Sequence, residues 1–358
     1  MKQIIERRGP KPAVTNYRFI QLDVFTREPF AGNPLAVFPE AEGLSDDHMM
    51  KIAREMNLSE TVFVLKPDEE QTANSKQQSA EPVTDADSQA AAGDDSAAPS
   101  GKQEVLRRLR IYTPAREIPF AGHPIVGTWN ALAREGVVAQ PENGNGWVRI
   151  YHEIGIGVLP VDIEFQKGEP VQVVMTQGKP EMGSVLDDRG EQEDLARALG
   201  LGIEDLDETL PIQVISTGLP FLAVPIRSLS DLSKCRVNTS LLSEIYVRAG
   251  STGCYPFSRE TIEIGAARAH ARLFAPADNI PEDPATGSAA GALGAYLIHH
   301  GAANIEATDD RYRFVIEQGD FMQRPSRINI EIKGKPGAVD EVRVGGPSVT
   351  VARGEVFV

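Results

Sequence analysis

Three short segments carry residue types that could move a proton on a small anionic molecule. One reads His123-Pro124-Ile125-Val126-Gly127-Thr128 and a second reads Asp283-Pro284-Ala285-Thr286-Gly287-Ser288. Each opens an Ala-rich stretch of helical composition. Proline is tolerated at the first helical position, where its missing N–H is not needed. Pro124 and Pro284 therefore mark two helix starts, with His123 and Asp283 as N-caps or last loop residues. Gly127-Thr128 and Gly287-Ser288 fall in the expected first turns, where small residues leave N–H groups open. A helix start of that kind favours an anion such as a carboxylate. The third segment is Asn57-Leu58-Ser59-Glu60-Thr61, at the junction of an expected helix and strand. A carboxylate there can project into a cleft, where burial would raise its pKa into the working range of a general acid/base. Taken singly, the helix starts read equally well as ordinary capping, and Glu60 reads first as a solvated loop residue.

The two helix starts belong to an internal repeat. Residues 111–135 and 273–297 each contain an aromatic-x-Pro-Ala step, Tyr112-Thr113-Pro114-Ala115 and Phe274-Ala275-Pro276-Ala277, followed by His/Asp-Pro-x-x-Gly-Thr/Ser. A duplicated strand-helix unit in two pseudosymmetric domains accounts for this. Two such starts facing each other would frame a site for a small carboxylate.

The elements that must hold these residues are short β runs with a few helices. Strands are expected at Tyr17–Phe25, Leu35–Phe38, Thr61–Leu65, Leu109–Tyr112 and Trp147–Tyr151. Helices are expected at Ser45–Met56, with Ser45 as N-cap, and at His123–Glu135. A second series gives Val171–Met175, Ile212–Ser216, Phe221–Pro225 and Glu263–Phe274, then a helix over Asp283–His299. Strands at Phe314–Glu317, Ile328–Ile332, Val342–Val344 and Ser348–Val358 complete it. The expected organisation is a flexible tail (1–16), an N-terminal domain (17–167) and a C-terminal domain (168–347), with 348–358 returning to the first. Residues 67–103 interrupt the first domain. That window has no aromatic, Leu, Ile or Met and is strongly acidic, so it reads as a disordered insertion.

Composition sets outer bounds. The chain has 358 residues and a formal net charge of −15, from 51 acidic and 36 basic residues. That balance opposes a nucleic-acid partner, which needs a clustered basic surface. No polybasic patch or bilayer-length apolar run suggests a membrane. Cys235 and Cys254 form no disulfide framework or CxxC pair, so a reducing cytoplasm is the expected compartment. The six histidines show no tight metal-ligand spacing, and no P-loop or complete dinucleotide fingerprint occurs.

Several further motifs appear in order. They are Asp23-Val24-Phe25-Thr26, Pro29-Phe30-Ala31-Gly32-Asn33-Pro34, Asn57 to Thr61, Thr113-Pro114, Glu117 to Pro124, Asp283 to Ala289, and Glu317-Gln318-Gly319. In these the chain resembles the phenazine-biosynthesis isomerase (PhzF-like) family, of diaminopimelate-epimerase-like fold. The resemblance implies an α+β protein of two pseudosymmetric domains, each a mixed β-sheet wrapped around a central helix. It implies a site between them without metal or organic cofactor. It also implies Glu60 as the acid/base, His123 and Asp283 as groups that orient and protonate substrate, and Gly122, Gly287 and Ser288 as donors to its carboxylate. One departure stands out: Met322-Gln323-Arg324 has Gln where the family usually has Gly, which would alter a loop near the site.

Two other readings compete. Racemases of this fold use two cysteines as paired acid and base, but Cys235 and Cys254 lie at neither helix start. A non-catalytic carboxylate-binding or regulatory protein could keep the same cleft; the joint presence of Glu60, His123 and Asp283 favours an enzyme. The expected function is a cofactor-independent isomerase acting on a small cyclic or unsaturated carboxylate. A homodimer is the common assembly of such enzymes, and no sequence stripe identifies an interface.

Overall fold

The structure, a computed structural model, describes residues 15–68 and 105–358. Nearly all of the expected tail and of the acidic insertion lies outside the described residues.

Two helices, Gly122–Arg134 and Gly287–His299, are apolar on almost every side, and helices of that kind must be buried. In the first, every residue but Arg134 is buried; in the second, every residue but Ser288 and His299. The chain buries them by curling one mixed sheet around each. The first half runs, in spatial order, Ser348–Phe357, Asn16–Val24, Asn33–Phe38, Glu60–Leu65, Val105–Tyr112, Gly146–Ile154, Gly157–Gln166 and Glu169–Thr176. The second runs Ala338–Gly346, Ser326–Lys335, Arg311–Gln318, Ala267–Ala271, Cys254–Ser258, Pro220–Pro225, Gln213–Ser216 and Glu181–Val185. Antiparallel pairing of Glu169–Thr176 with Ala338–Gly346 joins the halves.

Each half places its parallel pairs alike. Asn33–Phe38 lies parallel to Glu60–Leu65 across the outer helix Asp46–Met56, and Val105–Tyr112 to Gly146–Ile154 across the first central helix. In the second half, Pro220–Pro225 lies parallel to Cys254–Ser258 across Leu229–Ser233 and Thr239–Arg248. Ala267–Ala271 lies parallel to Arg311–Gln318 across the second central helix. Parallel neighbours need such crossovers. One apolar core unites both central helices, and smaller ones sit beneath the outer helices.

Three expectations shift. Glu169–Thr176 pairs with Gly157–Gln166 and packs on the first central helix, so the first half extends past residue 167. The strand expected over Glu263–Phe274 is two strands, Ala267–Ala271 and Leu273–Ala275, broken at Arg272, whose guanidinium turns to Glu282. The second central helix begins at Gly287, not Asp283; Ile280–Asp283 is a strand. Proline disfavours helical backbone in the residue before it, so Pro284 holds Asp283 extended.

The true helix starts also correct the repeat. Glu117-Ile118-Pro119-Phe120-Ala121-Gly122 matches Glu282-Asp283-Pro284-Ala285-Thr286-Gly287 without a gap, as Glu-x-Pro-x-x-Gly. His123 therefore corresponds to Ser288 and Asp283 to Ile118. Helices Arg189–Leu199 and Thr239–Arg248 and strand Gly157–Gln166 lie beyond the expected elements.

Candidate active site

Glu60 reaches the interior because of a turn. The outer helix ends at Asn57, whose left-handed backbone (φ 50°) reverses the chain. Asparagine tolerates that region better than most residues. The strand then starts at Glu60, and its alternation aims Glu60, like Val62 and Val64, at the first central helix. There Glu60 Oε2 lies 3.4 Å from Nε2 of His123, with the two side chains 13% and 7% exposed. Neither atom has a hydrogen-bond partner among the described residues.

His123 is the second residue of its helix rather than the cap, and Pro124 is the third. On the other side of its ring, Nδ1 stands 3.4 Å from Asn33 Nδ2. Fully buried Asn33 links the halves: its amide donates to Asp283 Oδ1 at 2.9 Å and to the Ala285 carbonyl at 2.8 Å. Ser59 Oγ donates in turn to Asn33 Oδ1 at 3.3 Å. Asp283 Oδ2 accepts a very short hydrogen bond from the Thr286 hydroxyl. Gln318 Nε2 holds the Asp283 carbonyl at 2.8 Å, and buried Tyr255 donates to Gln318 Oε1 at 2.8 Å. Glu60, His123 and Asp283, far apart in sequence, thus form one connected cluster.

Burial sets its electrostatics. It pushes the Glu60 carboxyl up to about 8, with the Asp283 charge acting in the same direction. It pushes His123 down to about 3. The pair therefore favours a neutral acid facing a neutral imidazole. Burial also raises Asp283 to about 6, against the hydrogen bonds from Thr286 and Asn33 that favour its anion.

Gly122 and Gly287 are the first residues of the two central helices and Ser288 is the second of its own. The starts abut: a Cβ on Gly122 would lie 3.5 Å from the Ser288 nitrogen and 3.7 Å from Gly287 Cα. Neither helix has a side-chain cap. The outer helices do, from Ser45, Asp188, Ser228 and Asn238. A first turn without a cap keeps its N–H groups for another acceptor. Gln177 Nε2 steadies the second helix by donating to the Gly287 carbonyl at 2.9 Å, and Thr217 donates to Gln177 Oε1 at 2.7 Å.

The expectation for Gly127-Thr128 fails. Both lie in the second turn and face the core; a Cβ on Gly127 would come within 2.6 Å of Leu35 and 2.7 Å of Val24. Gln323 sits in left-handed backbone (φ 60°), a conformation glycine adopts without penalty. Cys235 and Cys254 are buried under the outer helices of the second half, apart from this cluster, and burial raises both thiols. Among the described residues no group of three or more His, Cys, Asp or Glu is placed to hold a metal, and no helix is long and apolar enough to cross a membrane. Two open surface clefts of about 430 and 510 Å³ in the second half share no residue with the cluster.

Asn33, Gln318, Tyr255 and Thr286 lie beyond the sequence-based set. A signal did exist for Asn33: Pro29-Phe30-Ala31-Gly32-Asn33-Pro34 nearly duplicates Pro119-Phe120-Ala121-Gly122-His123-Pro124, with Asn33 in the place of His123.

Comparison with known proteins agrees with this architecture. The sequence profile of the family described as phenazine biosynthesis-like protein matches residues 22–76 and 97–354. An uncharacterized isomerase of Clostridium acetobutylicum is 35% identical over 344 residues, covering 96% of this chain and 99% of that protein. The trans-2,3-dihydro-3-hydroxyanthranilate isomerase of Pseudomonas chlororaphis is 32% identical over 341 residues, covering 95% and 99%. The crystal structure of a PhzF-family phenazine biosynthesis protein of Bacillus anthracis superimposes with a TM-score of 0.76 at 24% identity, covering 96% of this chain and all of that one. The chain belongs to the phenazine biosynthesis-like (PhzF) family, as an isomerase.

Proposed function

We propose that this isomerase shifts a proton along a small cyclic or unsaturated carboxylate, with Glu60 as the proton carrier. The observation that carries the proposal is the contact of Glu60 with His123 beside two uncapped helix starts. The first-turn N–H groups at Gly122, Gly287 and Ser288 bind the substrate carboxylate by charge-assisted hydrogen bonds. This local attraction overcomes an unfavourable overall charge of −15.

In the reaction Glu60 works as its anion. It takes the proton from one substrate carbon, the electron pair of that C–H bond moves through the adjacent double bond, and the proton returns to a carbon further along. The net change is one C–H bond broken, one formed and the double bonds displaced. No metal or organic cofactor is required in this scheme. His123, neutral and facing Glu60, orients the carboxyl group, and Asp283 bonds a polar substituent of the substrate. The compound named for the Pseudomonas relatives, a cyclic unsaturated amino acid, fits this class and is the first substrate to try.

The test is incubation of that compound in deuterated water with the intact protein and with Glu60→Gln. Deuterium entering a ring carbon only when Glu60 is present supports the proposal. Equal labelling by both proteins removes Glu60 from this role.

A further inference from the structure

The loop that delivers Asn33 is held in a strained course from the other half of the molecule. Phe30 and Gly32 both have left-handed backbone, φ 68° and 63°. For phenylalanine that conformation is strained. Phe30 is also 76% exposed, so burial of its ring does not offset it. What holds the loop is polar. The Phe30 N–H donates to Asp23 Oδ2 at 2.6 Å, and the Gly32 N–H to the Pro325 carbonyl at 3.1 Å. From the second half, Arg324 donates through Nη2 to Asp23 Oδ1 at 2.7 Å and to the Ala31 carbonyl at 2.8 Å. Its Nε donates to the Gly32 carbonyl at 2.8 Å. Asp23 is buried, so the carboxylate side of this pair is shielded from water, while Arg324 is partly exposed.

We propose that Arg324 is a positioning residue: it clamps the Asp23–Gly32 loop of the first half and so sets Asn33 between His123 and Asp283. Three acceptors converge on one planar guanidinium, a match that a lysine ammonium cannot reproduce. Asn33 follows Gly32 directly, and its amide is the bridge between Asp283 and the His123 ring. Arg327, three residues on, provides a contrast. Its side chain pairs with Glu263 and Asp320 inside the second half. Its link to the first half is the backbone N–H, which donates to the Phe25 carbonyl at 2.8 Å and is kept in Arg327→Ala. The inference builds on the role given above to His123 and Glu60, but its test uses no substrate, so the two can fail separately.

The readout is the titration of His123 by histidine-resolved NMR in the full chain. Around its ring stand Glu60 at Nε2 and Asn33 at Nδ1, with Asp283 beyond Asn33. His152 is an internal control: it is buried against Trp129 in the same half, also held down to about 3 by burial, and neither of its ring nitrogens has a hydrogen-bond partner among the described residues. In Arg324→Ala the loop relaxes and water reaches the ring, so the His123 pKa rises by at least about one unit. His152 stays where it was. Arg324→Lys gives an intermediate shift, and Arg327→Ala none. If Arg324→Ala does not fold, the comparison of Arg324→Lys with Arg327→Ala decides the matter in the same way. The proposal is overturned by an unmoved His123 in a folded Arg324 variant, by His152 moving in parallel, or by an equal His123 shift in Arg327→Ala.

Discussion

The two halves share one architecture, yet their polar chemistry is unequal. With Tyr112 matched to Phe274 by the repeat, the strand registers match Thr61 to Cys254 and hence Glu60 to Gly253. The helix starts match His123 to Ser288, and the Glu-x-Pro segments match Ile118 to Asp283. A second repeat, Glu153-Ile154-Gly155 and Glu317-Gln318-Gly319, matches Ile154 to Gln318. The first half thus supplies the acid and the imidazole where the second has glycine and serine. The second supplies the carboxylate and amide where the first has isoleucine. Symmetry provides two uncapped helix starts side by side. Under the proposed function these would hold an anion, and the asymmetry would leave Glu60 as a single proton carrier, suited to moving a proton along a molecule rather than exchanging it between opposite faces with paired groups.

The largest expected effect breaks this division at Glu60. Glu60→Gln lowers the isomerisation rate by about 10²–10⁴-fold, the range for loss of a general acid/base. The same substitution reverses a pH-dependent penalty on stability. Burial raises the folded-state pKa of Glu60 from 4.5 to about 8, so the folded protein loses stability as pH rises from about 4.5 to about 8. At roughly 1.4 kcal/mol per unit, the full effect is a few kcal/mol at most. Thermal melts are therefore expected to show Glu60→Gln more stable than the parent above pH 8 and equal to it near pH 4.5.

A pair of glycines sharpens the contrast between frame and chemistry. A Cβ on Gly122 meets only ordinary contacts at 3.5 Å and beyond, but it crowds the N–H groups between the helix starts. Gly122→Ala should melt normally while KM rises about tenfold, as for loss of one hydrogen bond to a charged group. Gly127→Ala, whose Cβ would press on Leu35 and Val24, should leave KM unchanged and destabilise by about 1–3 kcal/mol. The smallest effect belongs to Gln323. Gln323→Gly relieves a left-handed residue and should stabilise by up to about 1 kcal/mol, readable as a small rise in denaturation midpoint.

What could be read from the sequence was local. Ser45 as a cap, the Ala-rich central helices and the junction at Glu60 each rest on residues within a turn of one another. The helix Arg189–Leu199 offered equally local marks, a capping Asp188 and a closing Gly200. Aligning the repeat on His/Asp-Pro misplaced Asp283, because Pro284 acts on the residue before it and keeps that residue in a strand. Asn33 carries a mark in its near-duplicate of the His123 segment, whereas Tyr255 and Gln318 come from different strands and only the winding of the sheet brings them to Asp283. The clamp by Arg324 joins residues some 300 positions apart and leaves no short-range mark.

The central claim is that burial beside two uncapped helices raises the Glu60 pKa to about 8, so that the acid predominates at neutral pH while the anion that takes the proton stays within reach. Infrared titration of the protonated carboxyl band, taken as the difference between the intact protein and Glu60→Gln, reads this without a substrate. The account predicts a band that persists through neutral pH and disappears around pH 8. A band lost near pH 4.5, as for a solvated glutamate, would contradict it.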